Sequence, residues 1–361
     1  MIKYIGSKRA LLPQICAAVA ALQPNGGTIL DLFSGTARVG HALKKMGYFV
    51  IANDYLHFPY VLARCYVQAD RNRWLREARE LIRELAHVKP EPGFFTETYC
   101  IKARYFHPKN GARIEAIRNR IASLKLPGDL EAIALTALLE AADRVDSTVG
   151  VQMAYLKQWA PRALQDLELR VPELVCGQGL ALRMDALEAA SHVKGDVAYL
   201  DPPYNQHSYL GNYHVWETLV RWDRPKVYGV AQKRVDCKLV KSAFNSRLGI
   251  RRALRELVLR VQARALVVSF NDEGFLSPQE IEKILGLRGY VGVLEIPYKR
   301  YVGAKIGIYN PQGRRVGTVS HTMNREFLFI VSESRAAVIR GIRAAESVGQ
   351  LDLFAEKDAG A

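Results

Sequence analysis

No apolar run in this chain is long and free of charge: Arg, Asp, Glu or Lys interrupts each one before the roughly 20 residues needed to cross a bilayer. Met1 to Pro13 is basic but leads into no uninterrupted apolar region with a small-residue cleavage site, so no secretory signal is expected. Cysteine is scarce. The five thiols, at 16, 65, 100, 176 and 237, form no close pair, and their odd number leaves one unmatched, which excludes a full disulfide framework. They also lack the spacing of a structural zinc site, and reduced thiols in the cytoplasm are expected. Tandem repeats and long low-complexity linkers are absent as well, which removes solenoids and arrays.

What is present suits an enzyme-sized fold. With 361 residues, 49% of them apolar, the chain can bury a substantial core as one large domain or as a domain with a sizeable insertion. Lys and Arg number 51 against 36 Asp and Glu, a formal charge of +15 that favours a polyanionic partner.

Along the chain, an Ala-rich run from Leu11 to Leu22 reads as a helix entered near Pro13. Pro24-Asn25-Gly26-Gly27 ends it, and Thr28 to Leu32 reads as a buried strand. Gly35 to Gly40 turns into a helix running through Met46, and Tyr48 to Asp54 is a second strand ending in a carboxylate. Strand, turn, helix, strand and acid in this order begin a doubly wound α/β domain. From about His57 to Pro172 the periodicity is helical, with amphipathic stretches at 64–88 and 113–124 and recurring basic side chains. Strands return at 196–201, 265–270, 291–297, 304–309 and 327–332. Residues 356–361 read as a frayed end.

The run Asp31-Leu32-Phe33-Ser34-Gly35-Thr36-Ala37-Arg38-Val39-Gly40 sets a carboxylate at a strand end and small residues at the crossing into a helix. Gly35 lets the chain turn sharply and lets a ligand approach the backbone, and Gly40 permits close helix-to-strand contact. Asp54 stands where a carboxylate can accept hydrogen bonds from ribose hydroxyls. These features resemble the Dam-like N6-adenine DNA methyltransferases with alpha motif order. The resemblance implies that Asp31, Phe33, Ser34, Gly35, Thr36 and Gly40 form the S-adenosylmethionine turn and that Asp54 is the ribose acid. Tyr4 and Lys8, in Tyr4-Ile5-Gly6-Ser7-Lys8-Arg9, resemble the early motif near the methionine end, with Lys8 either at the active site or facing solvent. Asp185 is similar to the acid that meets the cofactor adenine, although a helix N-cap is its other reading.

Asp201-Pro202-Pro203-Tyr204 follows an apolar strand and so falls at the carboxyl edge of the sheet, where doubly wound folds hold ligands. Two prolines restrict the backbone; Asp201 and the Pro202 carbonyl can accept hydrogen bonds from an exocyclic amine while Tyr204 offers a planar face to a base. Such an amine is a poor nucleophile because its lone pair is delocalised, so orienting that pair is the chemistry the site must supply. Reaching it in duplex DNA requires the base to leave the stack. Asn205 to Thr218 resembles an active-site lid, with Tyr209 and Tyr213 either in a base pocket or in the core. Phe270 either packs at the pocket or is an ordinary strand aromatic, and His207 and His214 make no convincing metal pair.

The resemblance thus implies an α/β fold: a doubly wound, mostly parallel Rossmann-like methyltransferase sheet with a terminal antiparallel hairpin and a helical insertion. The expected domains are a catalytic one from 1–58 and 173–335, a target-recognition insertion at 59–172, and a tail at 336–361. Adenine N6 in double-stranded DNA is the expected target, in a nucleoid-associated restriction-modification setting, with cytosine N4, an RNA target and an inactive DNA-binding protein as alternatives. Arg104, Lys109 and Asn110 in the insertion are possible base readers, and Lys233-Arg234, Arg251, Arg252, Arg255, Arg300 and Arg314-Arg315 possible phosphate contacts. Gln350-Leu351-Asp352-Leu353-Phe354 resembles the peptide by which bacterial DNA-processing proteins dock on the replication sliding clamp.

Overall fold

Helix α1 (Leu12–Leu22) is entered through a 3-10 turn at Lys8–Leu11 and is followed by β1 (Thr28–Asp31), α2 (Arg38–Lys45) and β2 (Phe49–Asn53). The structure, a computed structural model, describes residues 1–153, 158–299, 308–309, 315–317 and 323–358, with side chains over 1–153, 158–297 and 325–348. A helical excursion then runs through α3 (His57–Ala63), α4 (Arg71–Ala86), α5 (Pro108–Ser123) and α6 (Gly128–Arg144). The amphipathic stretch expected over 64–88 is not one helix: Arg64–Gln68 is π-helical, and Asp70 restarts the chain by capping α4 through the Asn72 N–H at 2.9 Å.

The sheet resumes with β3 (Gly179–Leu182), α7 (Ala186–His192) and β4 (Val197–Leu200). Next come α8 (Tyr209–Asn212), α9 (His214–Arg221) and a small hairpin of β5 (Val227–Tyr228) and β6 (Lys233–Arg234). After α10 (Ile250–Arg260), β7 (Ala265–Asn271), α11 (Pro278–Leu285) and β8 (Tyr290–Lys299), the strands β9 (Ile308–Tyr309) and β10 (Arg315–Gly317) pair with each other. The described chain ends with β11 (Met323–Ser332) and α12 (Arg335–Asp358). Of the hairpin residues read as possible phosphate contacts, Arg300 and Arg314 lie outside the described residues, as does the side chain of Arg315.

Seven strands form the main sheet in the order β3-β2-β1-β4-β7-β11-β8. Six run in one direction, five of them paired with one another in parallel, and β11 alone in this sheet is reversed, antiparallel to both β7 and β8. This is the Rossmann-like arrangement with the terminal antiparallel hairpin. Being antiparallel, β11 begins at the edge where the parallel strands end, a topological fact that matters for the site below.

Pleating sorts the strand residues between two faces. Ile29, Val197, Tyr199, Val267, Leu328 and Ile330 point into one apolar cluster. Leu30, Ala198, Leu200, Val268, Phe270 and Phe329 point into the other, beneath α7, α10 and α11. The first cluster runs without interruption into Phe58, Leu62, Ile133 and Leu138 of the helical excursion. Those helices therefore share the sheet's core instead of building one of their own. Where a tail was expected from 336, α12 folds back with Val338 and Ala345 buried, because its apolar positions recur at helical spacing and cover the sheet beside α1. Among the described residues no helix is long and apolar enough to cross a membrane.

Candidate active site

At the carboxyl edge of the parallel strands lies a cavity of about 430 Å³, within the roughly 300–1,000 Å³ range usual for small-molecule sites. The turn after β1 forms one wall. Gly35 sits at φ +49, and a Cβ there would stand 3.2 Å from the Tyr4 ring, so both the backbone conformation and the close approach call for glycine. Its N–H donates to Asp54 Oδ2 at 3.0 Å, while the Leu56 N–H donates to Asp54 Oδ1 at 3.1 Å. Asp54 is thereby held facing the cavity from the end of β2; burial raises its carboxyl to about 6, and these two N–H groups limit the rise.

Asp31 ends β1 on the cavity wall, 1% exposed. Neither of its oxygens has a conventional hydrogen-bond partner in the protein, and the buried Ser34 hydroxyl beside it has none either. Burial, reinforced by the charges of Asp201 and Asp54, pushes the Asp31 carboxyl up to about 8, with the Gly40 N–H opposing. An unsatisfied buried carboxyl is costly unless something fills its vacancy. The chemistry that satisfies it is a cationic donor, such as the α-ammonium group of an amino-acid moiety. Together with Asp54, which suits a ribose, this donor set fits S-adenosylmethionine.

Asp201 follows β4 at the same edge and on the same face of the sheet as Asp31, two residues beyond Tyr199 in the pleat. Lys8 Nζ lies 3.2 Å from Asp201 Oδ1 and 3.4 Å from Glu326 Oε2. Burial works against the Lys8 charge, but the two carboxylates outweigh it and its pKa rises. Burial also raises Asp201, and Lys8 and the Ser269 hydroxyl partly offset this. The Lys8 ammonium further sits 5.7 Å from the centre of the Tyr204 ring.

Above the turn, Tyr4 stacks on both Tyr209 (5.1 Å, 7° between planes) and Tyr213 (4.8 Å, 16°), tying the N-terminal segment to the segment after Asp201. The Tyr213 hydroxyl also accepts the Ile5 N–H at 2.6 Å. Tyr209 lines the cavity; Tyr213 is core, 1% exposed. Across from them, residues 241–245 supply a wall that sequence reasoning did not single out. Phe244 packs edge-on against Phe33 at 5.2 Å, and Asn245 Nδ2 donates to the carbonyls of Asn205 (2.8 Å) and His207 (3.1 Å). No periodicity marks that segment, and only its contacts reveal its place.

Of the expected site residues, Tyr4, Lys8, Asp31, Phe33, Ser34 and Gly35 meet on the cavity wall. Thr36, Asp54, Asp185, Asp201 and Pro203 do so too. Gly40, Pro202 and Tyr204 do not. A Cβ at Gly40 would meet Val67 at 3.0 Å and Val50 at 3.3 Å, which is the close helix-to-strand contact expected of it. Tyr204 is 9% exposed with its ring 5.8 Å from that of Phe270, and Phe270 is fully buried as a strand aromatic. Asp185 is both a wall residue and an N-cap: its Oδ1 accepts the Leu187 N–H at 2.8 Å.

Several basic or polar residues, most of them read as possible nucleic-acid contacts, have partners within the protein. Arg234, 1% exposed, is gripped by Asp223 (2.7 Å) and Asp236 (2.8 Å). Asn110 is buried, donating to the carbonyls of Ala163 and Gln165. Lys109 pairs with Asp166 at 3.0 Å, and Arg251 with Glu280. Arg118 donates to the Leu219 and Val220 carbonyls at the end of α9. Arg104 lies over Trp159, 4.8 Å from its ring centre. For Asn110, Lys109, Arg251 and Arg118 the partner lies far along the chain. His214 is buried and driven down to about 3 by that burial, with Nε2 at 2.8 Å from the Gln152 carbonyl.

Comparison with known proteins bears on the same residues. A family model described as "D12 class N6 adenine-specific DNA methyltransferase" matches residues 4–278. The chain is 32% identical to Type II methyltransferase M.FokI of Planomicrobium okeanokoites over 83% of its length, but spans only 49% of that protein. It is 28% identical to Type II methyltransferase M.NlaIII of Neisseria lactamica, covering 90% of this chain and 99% of the relative. Type II methyltransferase M.CviAII of Paramecium bursaria Chlorella virus 1 is 28% identical over 83% of this chain and 92% of its own. With the strand-end acids and the turn in place, the chain belongs to the D12 class of N6 adenine-specific DNA methyltransferases.

Proposed function

We propose that this protein methylates the N6 amine of an adenine flipped out of duplex DNA, using S-adenosylmethionine. The observation that carries the reading is the shared edge: an unsatisfied Asp31 and a ribose-competent Asp54 open onto the same cavity as Asp201. When bound, S-adenosylmethionine supplies an electrophilic methyl group on a sulfonium. Asp31 receives the ammonium, Asp54 and its backbone donors hold the ribose end, and the exposed face of Asp185 meets the adenine ring. Asp201 accepts a hydrogen bond from the target amine, aligns its lone pair and balances the positive charge that grows on nitrogen as the bond forms. The Pro202 carbonyl is the second acceptor. Tyr204, which does not line the cavity, would offer its ring face to the flipped base beside it.

The helices of 59–172 carry target recognition in this proposal, supported by the basic charge that remains on their exposed positions, including Arg79 and Arg83. The names of the relatives, Type II methyltransferases, support a restriction-modification setting, and a place in the cytoplasm on the nucleoid belongs to the proposal as a consequence of the DNA substrate. Gln350 to Phe354 is proposed as a sliding-clamp peptide on the strength of its sequence; it falls in the last turns of α12, and its side chains lie outside those described.

The test is to incubate the protein with methyl-labelled S-adenosylmethionine and unmethylated duplex of mixed sequence, then identify labelled nucleosides by mass. N6-methyladenine is expected. N4-methylcytosine would overturn the choice of base, and full activity in Asp201→Ala would overturn the catalytic assignment.

A further inference from the structure

The parallel strands β1, β2 and β4 trail into Asp31, Asp54 and Asp201 at the carboxyl edge, but Glu326 reaches that edge differently. It stands near the start of the antiparallel β11, directly across from Asn271 of β7 and next to Phe327, which opposes Phe270. Pleat parity puts it on the face of Leu328 and Ile330, the face shared by Asp31 and Asp201. Its side chain is 7% exposed and that of Lys8 5% exposed, so neither is a solvated surface charge.

Lys8 bridges two carboxylates, and its distances to them, 3.2 and 3.4 Å, are both longer than the ~2.7–2.9 Å of an undivided charge-assisted bond. The cation is shared between the two carboxylates. This sharing has a chemical consequence. A Lys8–Asp201 pair on its own would neutralise the carboxylate and occupy it with an ammonium, leaving it a poor acceptor for an amine that becomes positive during transfer. A second carboxylate pulling on the same ammonium leaves Asp201 with charge and lone pairs to use.

We infer that Glu326 is a positioning residue for methyl transfer, dividing the Lys8 charge so that Asp201 remains an effective acceptor; this rests on the role given to Asp201 above. The other groups facing the trio are Tyr199, Ser269 and Asn271 on the strands, Tyr209 on α8, the Tyr204 ring and Asp31. Among these only Asp31 is an acid, and it pairs with the ammonium once S-adenosylmethionine is bound. With that ligand saturating, the acid limb of the transfer rate reports Asp201 coupled to Glu326 in the wild type and Asp201 alone in Glu326→Gln.

The experiment measures single-turnover methyl transfer into duplex DNA against pH, and S-adenosylmethionine affinity by calorimetry, for the full chain and for Glu326→Gln, Glu326→Asp and Asp201→Asn. For Glu326→Gln the expected result is unchanged ligand affinity and a plateau rate at least tenfold lower. Its acid limb should move to lower pH, because an undivided Lys8 favours the ionised Asp201. Glu326→Asp, which keeps the charge but shortens its reach, should fall between the two; it stands in for the glutamine variant if that fails to fold. A slower enzyme with an unmoved limb would mean a merely structural Glu326 and would overturn the inference. So would wild-type rates in Glu326→Gln alongside an inactive Asp201→Asn. Full activity in Asp201→Asn would instead sink the underlying assignment.

Discussion

Replacing Asp31 with asparagine should make the ligand-free protein more stable at pH 8 while abolishing its response to S-adenosylmethionine. The folded carboxyl is raised to about 8 from its usual 3.8, so the folded state keeps its proton over a range in which the unfolded chain has lost it. An acid raised in this way favours folding least at high pH: stability is lost progressively as pH climbs from near 4 to near 8. At about 1.4 kcal/mol per unit, that window amounts to as much as ~5 kcal/mol. The amide removes the titration but introduces donors that find no acceptor, at a cost of about 1–3 kcal/mol, leaving a net gain of roughly 2–4 kcal/mol at pH 8. At pH 5, where little of the window has been crossed, the gain should shrink to nothing or reverse. Urea unfolding of both proteins at pH 5 and pH 8 reads this directly. Ligand at a hundred times its Kd should stabilise the wild type by about 2.7 kcal/mol and leave the variant unmoved. If the two unfolding free energies differ by a constant amount at both pH values, Asp31 is not the buried, raised acid described here and the argument fails.

Other substitutions probe the rest of the framework. Arg234→Ala leaves Asp223 and Asp236 with only the partly exposed Arg221 as partner, and should cost about 3–5 kcal/mol in urea unfolding. It should leave the salt dependence of DNA binding unchanged; a shallower slope would restore Arg234 to the DNA contacts. Gly35→Ala forces a side chain into a left-handed backbone and against Tyr4, costing about 1–2 kcal/mol of strain. Calorimetry should show S-adenosylmethionine binding at least tenfold weaker, and wild-type affinity would mean that the turn does not hold the ligand. A Leu353→Ala, Phe354→Ala double variant should lose sliding-clamp binding in a pull-down with purified clamp while methylating short duplexes normally; retained clamp binding would rule out that peptide.

The acids that are legible in the sequence and the one that is not differ in strand direction. Asp31, Asp54 and Asp201 each trail an apolar run, and in a parallel sheet a trailing residue is at the carboxyl edge, so position along the chain translates directly into position in the fold. Glu326 leads its run. Its run reads as a strand, but an acid at the front of a strand reaches the ligand edge only if that strand is reversed, and the pairing of β11 with β7 that reverses it is not local information. The same holds for the donors. A run of basic residues shows charge, yet whether Arg234 meets phosphate or carboxylate depends on where Asp223 and Asp236 fold, and Asn110 is taken by carbonyls more than fifty residues away. Helical periodicity likewise announced the excursion after β2 but not that its apolar faces would merge with the sheet's own cluster. Motifs report chemistry when a single strand and turn suffice to place it. When the group must be delivered by a strand of opposite direction, as Glu326 is delivered to a lysine 318 positions earlier, only the assembled sheet shows that the two carboxylates share one cation.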